Sequence, residues 1–226
     1  MAYLLHIEST STVCSVSISK DAELLTLKEL NNGYTHAENL HVFIEHALIE
    51  TNLKASDLNA ISVSSGPGSY TGLRIGFSAA KGLAFALNIP LITIDTLKAL
   101  SVSAIRQIKE EAVFIPMMDA RRMEVYCAAY DHNLKEILQV QALVLNEESI
   151  KAFELNKPLY FFGDGMPKAK ELLQQLPQSH FIENINTSSS SMIQLAFEKY
   201  MKNDFADVAY SEPNYLKEFF FHTAKK

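Results

Sequence analysis

Strand, strand, strand, helix, strand, helix, strand, helix: this order of elements runs through residues 3–107 and begins again at residue 113. Tyr3–Ile7, Thr12–Ser19 and Glu23–Leu30 alternate β-branched and leucine residues between short polar turns, the pattern of three successive strands. Leu40, Phe43, Ile44, Ala47 and Leu48 form a 3.6-residue stripe that predicts a helix over 37–51. Ala60–Val63 and Pro90–Ile94 read as strands, with helices over 73–87 and 96–107. The second round predicts strands at Val113–Met118, Met123–Tyr130 and Leu134–Leu145, then a helix near Asn146 with Glu147 and Glu148 in its first turn. Strand Leu159–Phe162, helix Pro167–Leu176, strand His180–Glu183 and helix Ser190–Lys202, with Ser188 or Ser189 as its cap, complete it.

A repeated α/β order implies two lobes facing a cleft, divided into residues 1–107 and 108–226, with the polar run Gln107–Glu111 as hinge. That arrangement is the actin-like (ASKHA, ribonuclease H-like) duplicated α/β fold. Order alone also fits two unrelated α/β domains, since no identity between the halves is visible. A hydrophobic content of 48% supplies core for either.

Five of the eight glycines lie between Gly66 and Gly82, where a strand hands over to a helix. Gly72, Gly76, Ala80 and Ala84 are spaced by four and make one smooth helical stripe. A smooth stripe admits a second backbone, from a partner or from the chain's own sheet. The partner surface expected on this reading comprises Leu40, Phe43, Gly66, Gly68, Gly72, Arg74, Gly76 and Ala80. The glycine run is one residue too long for a dinucleotide fingerprint, and Leu73 stands where a P-loop needs lysine.

The actin-like cleft grips phosphates with two hairpins in which an Asp is followed by small residues that bare their amides. The matching segments here are Glu8–Thr12 and Asp119–Arg122, and neither contains glycine. Glu8 replaces the shorter Asp, and Arg121 and Arg122 put long side chains where amides are wanted. Those arginines either clamp a phosphate or stand solvated at a hairpin tip. Glu8, Ser9, Asp119, Arg121, Gly163 and Gly165 therefore mark the remnant of a nucleotide cleft, with no catalytic residue and no cofactor expected.

His36, His41 and His46 are offset by five, which puts consecutive imidazoles about 140° apart on a helix and argues against a shared metal. Cys14 and Cys127 have no neighbouring cysteine and read as buried strand thiols. A net charge of −6 opposes tight binding of nucleic acid by this chain alone. No stretch approaches a membrane span and the first residues lack a signal pattern, so a cytoplasmic protein is expected. Phe219–Phe221 reads as a packing tail.

Ser65-Gly66-Pro67-Gly68-Ser69-Tyr70-Thr71-Gly72-Leu73-Arg74-Ile75-Gly76, continued by Ala80-Lys81-Gly82-Leu83-Ala84, closely resembles the signature of the TsaB (YeaZ) family. Glu8-Ser9-Thr10 resembles that family's opening Asp-Thr-Ser, Met118–Tyr126 its central hairpin and Gly163–Gly165 its later turn. Pro213–Lys217 is similar to its Pro-x-Tyr-Leu-Arg element, with Lys in place of Arg. The resemblance implies a non-catalytic subunit in the synthesis of threonylcarbamoyladenosine beside the anticodon of tRNAs that read codons beginning with A. It implies the catalytic paralogue TsaD and the ATPase TsaE as partners and tRNA contact only through their complex; the sequence leaves open whether the isolated chain forms a homodimer on the same surface. A stand-alone actin-like phosphotransferase or peptidase is the competing reading.

Overall fold

The computed structural model describes residues 1–33 and 35–217. Its first sheet holds β1 (Tyr3–Glu8), β2 (Val13–Lys20), β3 (Glu23–Asn31), β4 (Ala60–Gly66) and β5 (Leu91–Asp95) in the order β3-β2-β1-β4-β5. The second holds β6 (Val113–Asp119), β7 (Glu124–Tyr130), β8 (Glu136–Val144), β9 (Leu159–Phe162) and β10 (Ser179–Ile182) in the order β8-β7-β6-β9-β10. The two orders are the same once each strand is matched to its counterpart five later. In both sheets the first three strands are antiparallel and the last two join in parallel. The fold is thus the duplicated, actin-like α/β arrangement.

Helices α1 (His36–Thr51) and α2 (Tyr70–Leu87) lie on one side of the first sheet, where Leu40, Ile44 and Phe77 join Leu5 and Ile7 in one core. Ser69 caps α2 by accepting from the Gly72 N–H, and left-handed Asn52 and Asn88 end α1 and α2. The helix expected after Asn146 is only a 3₁₀ segment, Ser149–Phe153, and the last helix divides into a 3₁₀ turn, Ser189–Met192, and α5 (Ile193–Met201).

Packing does not follow a division at residue 107. Helix α3 (Thr96–Ile105) precedes that point, yet Leu97, Leu100 and Ala104 pack on Phe114, Met118 and Phe162 of the second sheet. Conversely, Met192 and Ala196, at the start of and within α5, close the far side of the first sheet against Leu4, Ala60 and Ile92. Each lobe therefore completes its core with a helix from the other half of the chain. α4 (Met166–Leu173) stays with the second sheet, burying Met166, Ala169 and Leu173. Phe219–Phe221 lies outside the described residues. Among the described residues no helix is long and apolar enough to cross a membrane.

Beside that apolar cluster the far face of the first sheet carries a buried polar layer. His6 and Glu8 on β1, Ser15, Ser17 and Ser19 on β2, and Ser62 and Ser64 on β4 are all buried. Ser15 and Ser189 meet at 2.9 Å and Ser11 and Thr187 at 2.7 Å, so hydroxyl pairs tie the 3₁₀ turn before α5 to the sheet. Cys14 and Cys127 sit buried on equivalent strands β2 and β7, and burial pushes their thiols up to about 11 and about 12.

Candidate functional site: the cleft between the lobes

The turn from β4 into α2 rests directly on the hairpin that joins β1 to β2. The Ser69 N–H donates to the Thr10 carbonyl at 2.7 Å, and the Ser9 hydroxyl donates to the Gly72 carbonyl at 2.8 Å. Close approach of these two backbones requires glycine: a Cβ at Gly72 would stand 2.0 Å from the Ser9 carbonyl oxygen, and one at Gly76 would stand 2.2 Å from the Ser9 hydroxyl. Gly66 and Gly68 make the same kind of approach to Asn214 and Thr10.

These contacts correct the expected partner surface. Gly72, Gly76, Ala80 and Ala84 face inward, onto β1 and its hairpin, because the stripe is what lets α2 lie on its own sheet. Leu40 is fully buried in the same core, Phe43 is packed against it, Gly66 is buried, and Gly68 is half-buried on the cavity wall. Of the residues named for that surface only Arg74 is exposed, with its guanidinium 4.5 Å above the Tyr70 ring. The outward side of α2 carries a different line, Arg74, Ser78, Gly82 and Phe85. Phe85 is 81% exposed and nothing lies within 4 Å of a Cβ at Gly82. Val42 and Ile49 add exposed apolar area on α1.

Glu8 is also misplaced by the sequence reading. Its carboxylate turns away from the cleft, accepts from the Thr10 N–H at 2.6 Å and takes further hydrogen bonds from the Thr10 and Ser64 hydroxyls. Burial raises its pKa, against the pull of those donors. Ser9 is buried beneath α2 in the contacts above. The first hairpin has therefore turned its acid and the Thr10 amide onto each other.

A cavity of about 900 Å³ lies between the lobes, walled by the β4–α2 turn, the β6–β7 hairpin and residues 214–217. Asp119, Arg121, Arg122, Tyr126 and Asp164 line it. Gly163 and Gly165 do not: a Cβ at Gly163 would stand 2.3 Å from the Met117 carbonyl, and both glycines let the β9–α4 turn pack on the end of β6. His36 is buried at the cavity's edge, its Nε2 donating to the Ser11 carbonyl at 2.8 Å, whereas His41 and His46 are exposed on α1.

Two lysines absent from the expected site hold its walls in place. Lys168 on α4 pairs with Asp119 and donates to the carbonyls of Arg122, at 2.8 Å, and Glu124, at 2.6 Å. Lys217 pairs with Glu124 and so fastens the final described residues to the second lobe. The same segment is anchored to the first lobe where the Asn214 N–H donates to the Ser65 carbonyl at 2.6 Å and Tyr215 packs on Tyr70, ring centroids 5.0 Å apart. Nothing in the local sequence around Lys168 marks it; its acceptors are more than forty residues away.

Residues 32–225 match the family model described as TsaD, tRNA N6-adenosine threonylcarbamoyltransferase. The chain is 33% identical over 134 residues to the tRNA threonylcarbamoyladenosine biosynthesis protein TsaB of Buchnera aphidicola, an alignment covering 59% of this chain and 60% of that protein. To the TsaB of Bacillus subtilis it is 27% identical over 222 residues, covering 95% of this chain and 93% of the other. The chain thus spans three-fifths of the first relative and nearly all of the second. The solved structure of YeaZ from Pseudomonas aeruginosa superposes with a TM-score of 0.79 at 24% identity over 96% of this chain and 100% of that one, a likeness of fold.

Proposed function

The chain belongs to the TsaB (YeaZ) family, within the broader group that the TsaD model describes, and from that premise we propose that it takes part in tRNA threonylcarbamoyladenosine biosynthesis as a non-catalytic subunit. The observation that carries the non-catalytic reading is the self-capped first hairpin. Glu8 is held by Thr10 and Ser64 instead of standing ready to orient a metal-bound water. A site of this kind supports a partner's chemistry rather than its own.

The partner in this reading is the catalytic threonylcarbamoyltransferase TsaD, docked on the outward side of α1 and α2. The bare backbone at Gly82 admits close approach, and Phe85, Val42 and Ile49 supply the apolar area that an interface core needs. The ATPase TsaE joins the pair, the same face serves a homodimer in isolation, and a net charge of −6 leaves tRNA binding to the complex. A cytoplasmic location follows from that role.

Reconstitution tests this directly. Purified TsaD with this chain, TsaE, threonylcarbamoyl-AMP and tRNA is expected to form the modified nucleoside, and the mixture lacking this chain is expected to fail. This chain alone is expected to yield neither product nor appreciable ATP turnover. Robust turnover by the isolated chain, lost on Glu8→Ala, would instead favour a stand-alone phosphotransferase.

A further inference from the structure

Helices α3 and α5, each of which completes the core of the other half's lobe, meet at a further cavity of about 300 Å³ that shares no residue with the one between the lobes. Lys98 and Val102 on α3 and Arg106 at its end are spaced by four, so they lie along one side of the helix and line the cavity together. Leu195 and Glu198 of α5 and Leu134 of the β7–β8 turn supply the other walls. Clefts where separately packed units meet are a common place for small-molecule sites.

The turn is strained. Leu134 has φ +60°, in the left-handed region that glycine and asparagine enter readily and a leucine does not. Asp131 braces it there: its carboxylate accepts from the Asn133 N–H at 2.9 Å and the Lys135 N–H at 2.8 Å, and its carbonyl accepts from the Leu134 N–H at 3.0 Å. A strained position that keeps a large apolar side chain, half-buried at a cavity, points to a use for that side chain. With Val102 and Leu195 it gives the cavity an apolar floor.

The charges on the walls are unbalanced. Among the described residues neither the Lys98 ammonium nor the Arg106 guanidinium makes a hydrogen bond or an ion pair. Their Cα atoms lie about 12 Å apart along the helix, a span that two long side chains can close over Val102. Glu198 supplies a single carboxylate, one oxygen of which accepts from the Gln194 side-chain amide at 2.8 Å. Two unpaired cations beside an apolar floor, in a chain whose net charge is −6, suit a small anion with an apolar body.

We infer that this cavity binds a small aliphatic carboxylate, its carboxylate held between Lys98 and Arg106 and its hydrocarbon part against Val102, Leu134 and Leu195. The ligand is a plain carboxylic acid or an α-amino acid, which present the same chemistry; in the second case Glu198 takes the ammonium group. An occupant would touch a helix from each lobe's core. The inference does not rest on the proposed partner, whose docking face uses other residues.

NMR titration of the isotope-labelled full chain tests it with four probes: hexanoate, L-leucine, acetate, which has no apolar body, and hexylamine, whose charge is reversed. Hexanoate or leucine is expected to bind saturably at millimolar concentration, with shifted amides grouped in residues 98–106, 131–135 and 194–198, the tighter of the two identifying the source. Acetate and hexylamine are expected to be weaker by at least about tenfold, one lacking the buried methylenes and the other the charge-assisted contacts. Lys98→Gln/Arg106→Gln is expected to weaken the better probe by at least about tenfold while the melting temperature matches the parent's, since neither side chain has a partner to lose. Leu134→Asn, polar and at ease in the left-handed region, is expected to weaken it severalfold. Absence of saturable binding by hexanoate and leucine, equal binding of acetate or hexylamine, shifts centred elsewhere, or unchanged affinity in either variant would each overturn the inference.

Discussion

The carboxylate of Glu8 accepts a hydrogen bond at 2.6 Å from the backbone N–H of Thr10, two residues along the same hairpin. With the Ser64 hydroxyl as a further donor, the acid sits inside the first lobe instead of at the cleft. The hairpin that an actin-like fold would use to grip phosphate is thereby closed on itself.

Burial raises the Glu8 pKa in the folded chain, so between the unfolded value near 4.5 and the folded one the native state holds a proton that the unfolded state has lost. The group's contribution to stability is full below about pH 4.5 and declines as pH rises through the folded value. Glu8→Gln keeps acceptor and donor capacity without that charge. Its stability relative to the parent, from urea unfolding at pH 5 and pH 8, is expected to improve with pH; a constant difference would show that Glu8 ionises normally in place.

His6 titrates with the opposite sign. Its ring sits between the hydroxyls of Ser62, at 2.6 Å, and Ser19, at 2.9 Å, and burial lowers its pKa to about 3. The stability it confers is complete above the unfolded value near 6.5 and is lost as pH falls toward about 3. At about 1.4 kcal/mol per pH unit, this group alone removes roughly 2 kcal/mol between pH 6.5 and pH 5. NMR of the imidazole is expected to find it neutral at pH 5, and protonation near pH 6.5 would contradict its place in the serine layer.

Gly76 and Gly82 separate the two sides of α2. A Cβ at Gly76 would force the Ser9 hydroxyl from its bond to Gly72, so Gly76→Ala is expected to lose about 1–3 kcal/mol. Gly82 has open space around it, and Gly82→Ala is expected to gain about 0.5–1 kcal/mol from helix propensity. Denaturant unfolding of the pair checks both; similar effects would mean that the two faces are not distinct.

Element order and topology were readable because periodicity reports local structure. Strands β1 to β10 fall within a few residues of where alternation puts them. The inward turn of the glycine stripe was not readable, since small residues look alike whether they admit a partner or the chain's own Ser9. Nor does an apolar helix face say which sheet it covers, which hid the exchange of α3 and α5 between lobes. Glu8 depends on Ser64, 56 residues away, and Lys168 on carbonyls more than forty residues away, distances over which local pattern carries no information.

On the proposed function, the outward face of α1 and α2 docks the threonylcarbamoyltransferase partner. Phe85 is 81% exposed, so Phe85→Glu leaves the core untouched, and Gly82→Glu blocks close approach from the same side. The most direct measurement is the affinity of purified TsaD for the parent chain and for these two variants, with circular dichroism and melting temperature as folding controls. Affinity is expected to fall by at least about tenfold in both well-folded variants, the loss typical of an anchor residue at an interface centre. Unchanged affinity in both would contradict docking on this face and move the partner to another surface.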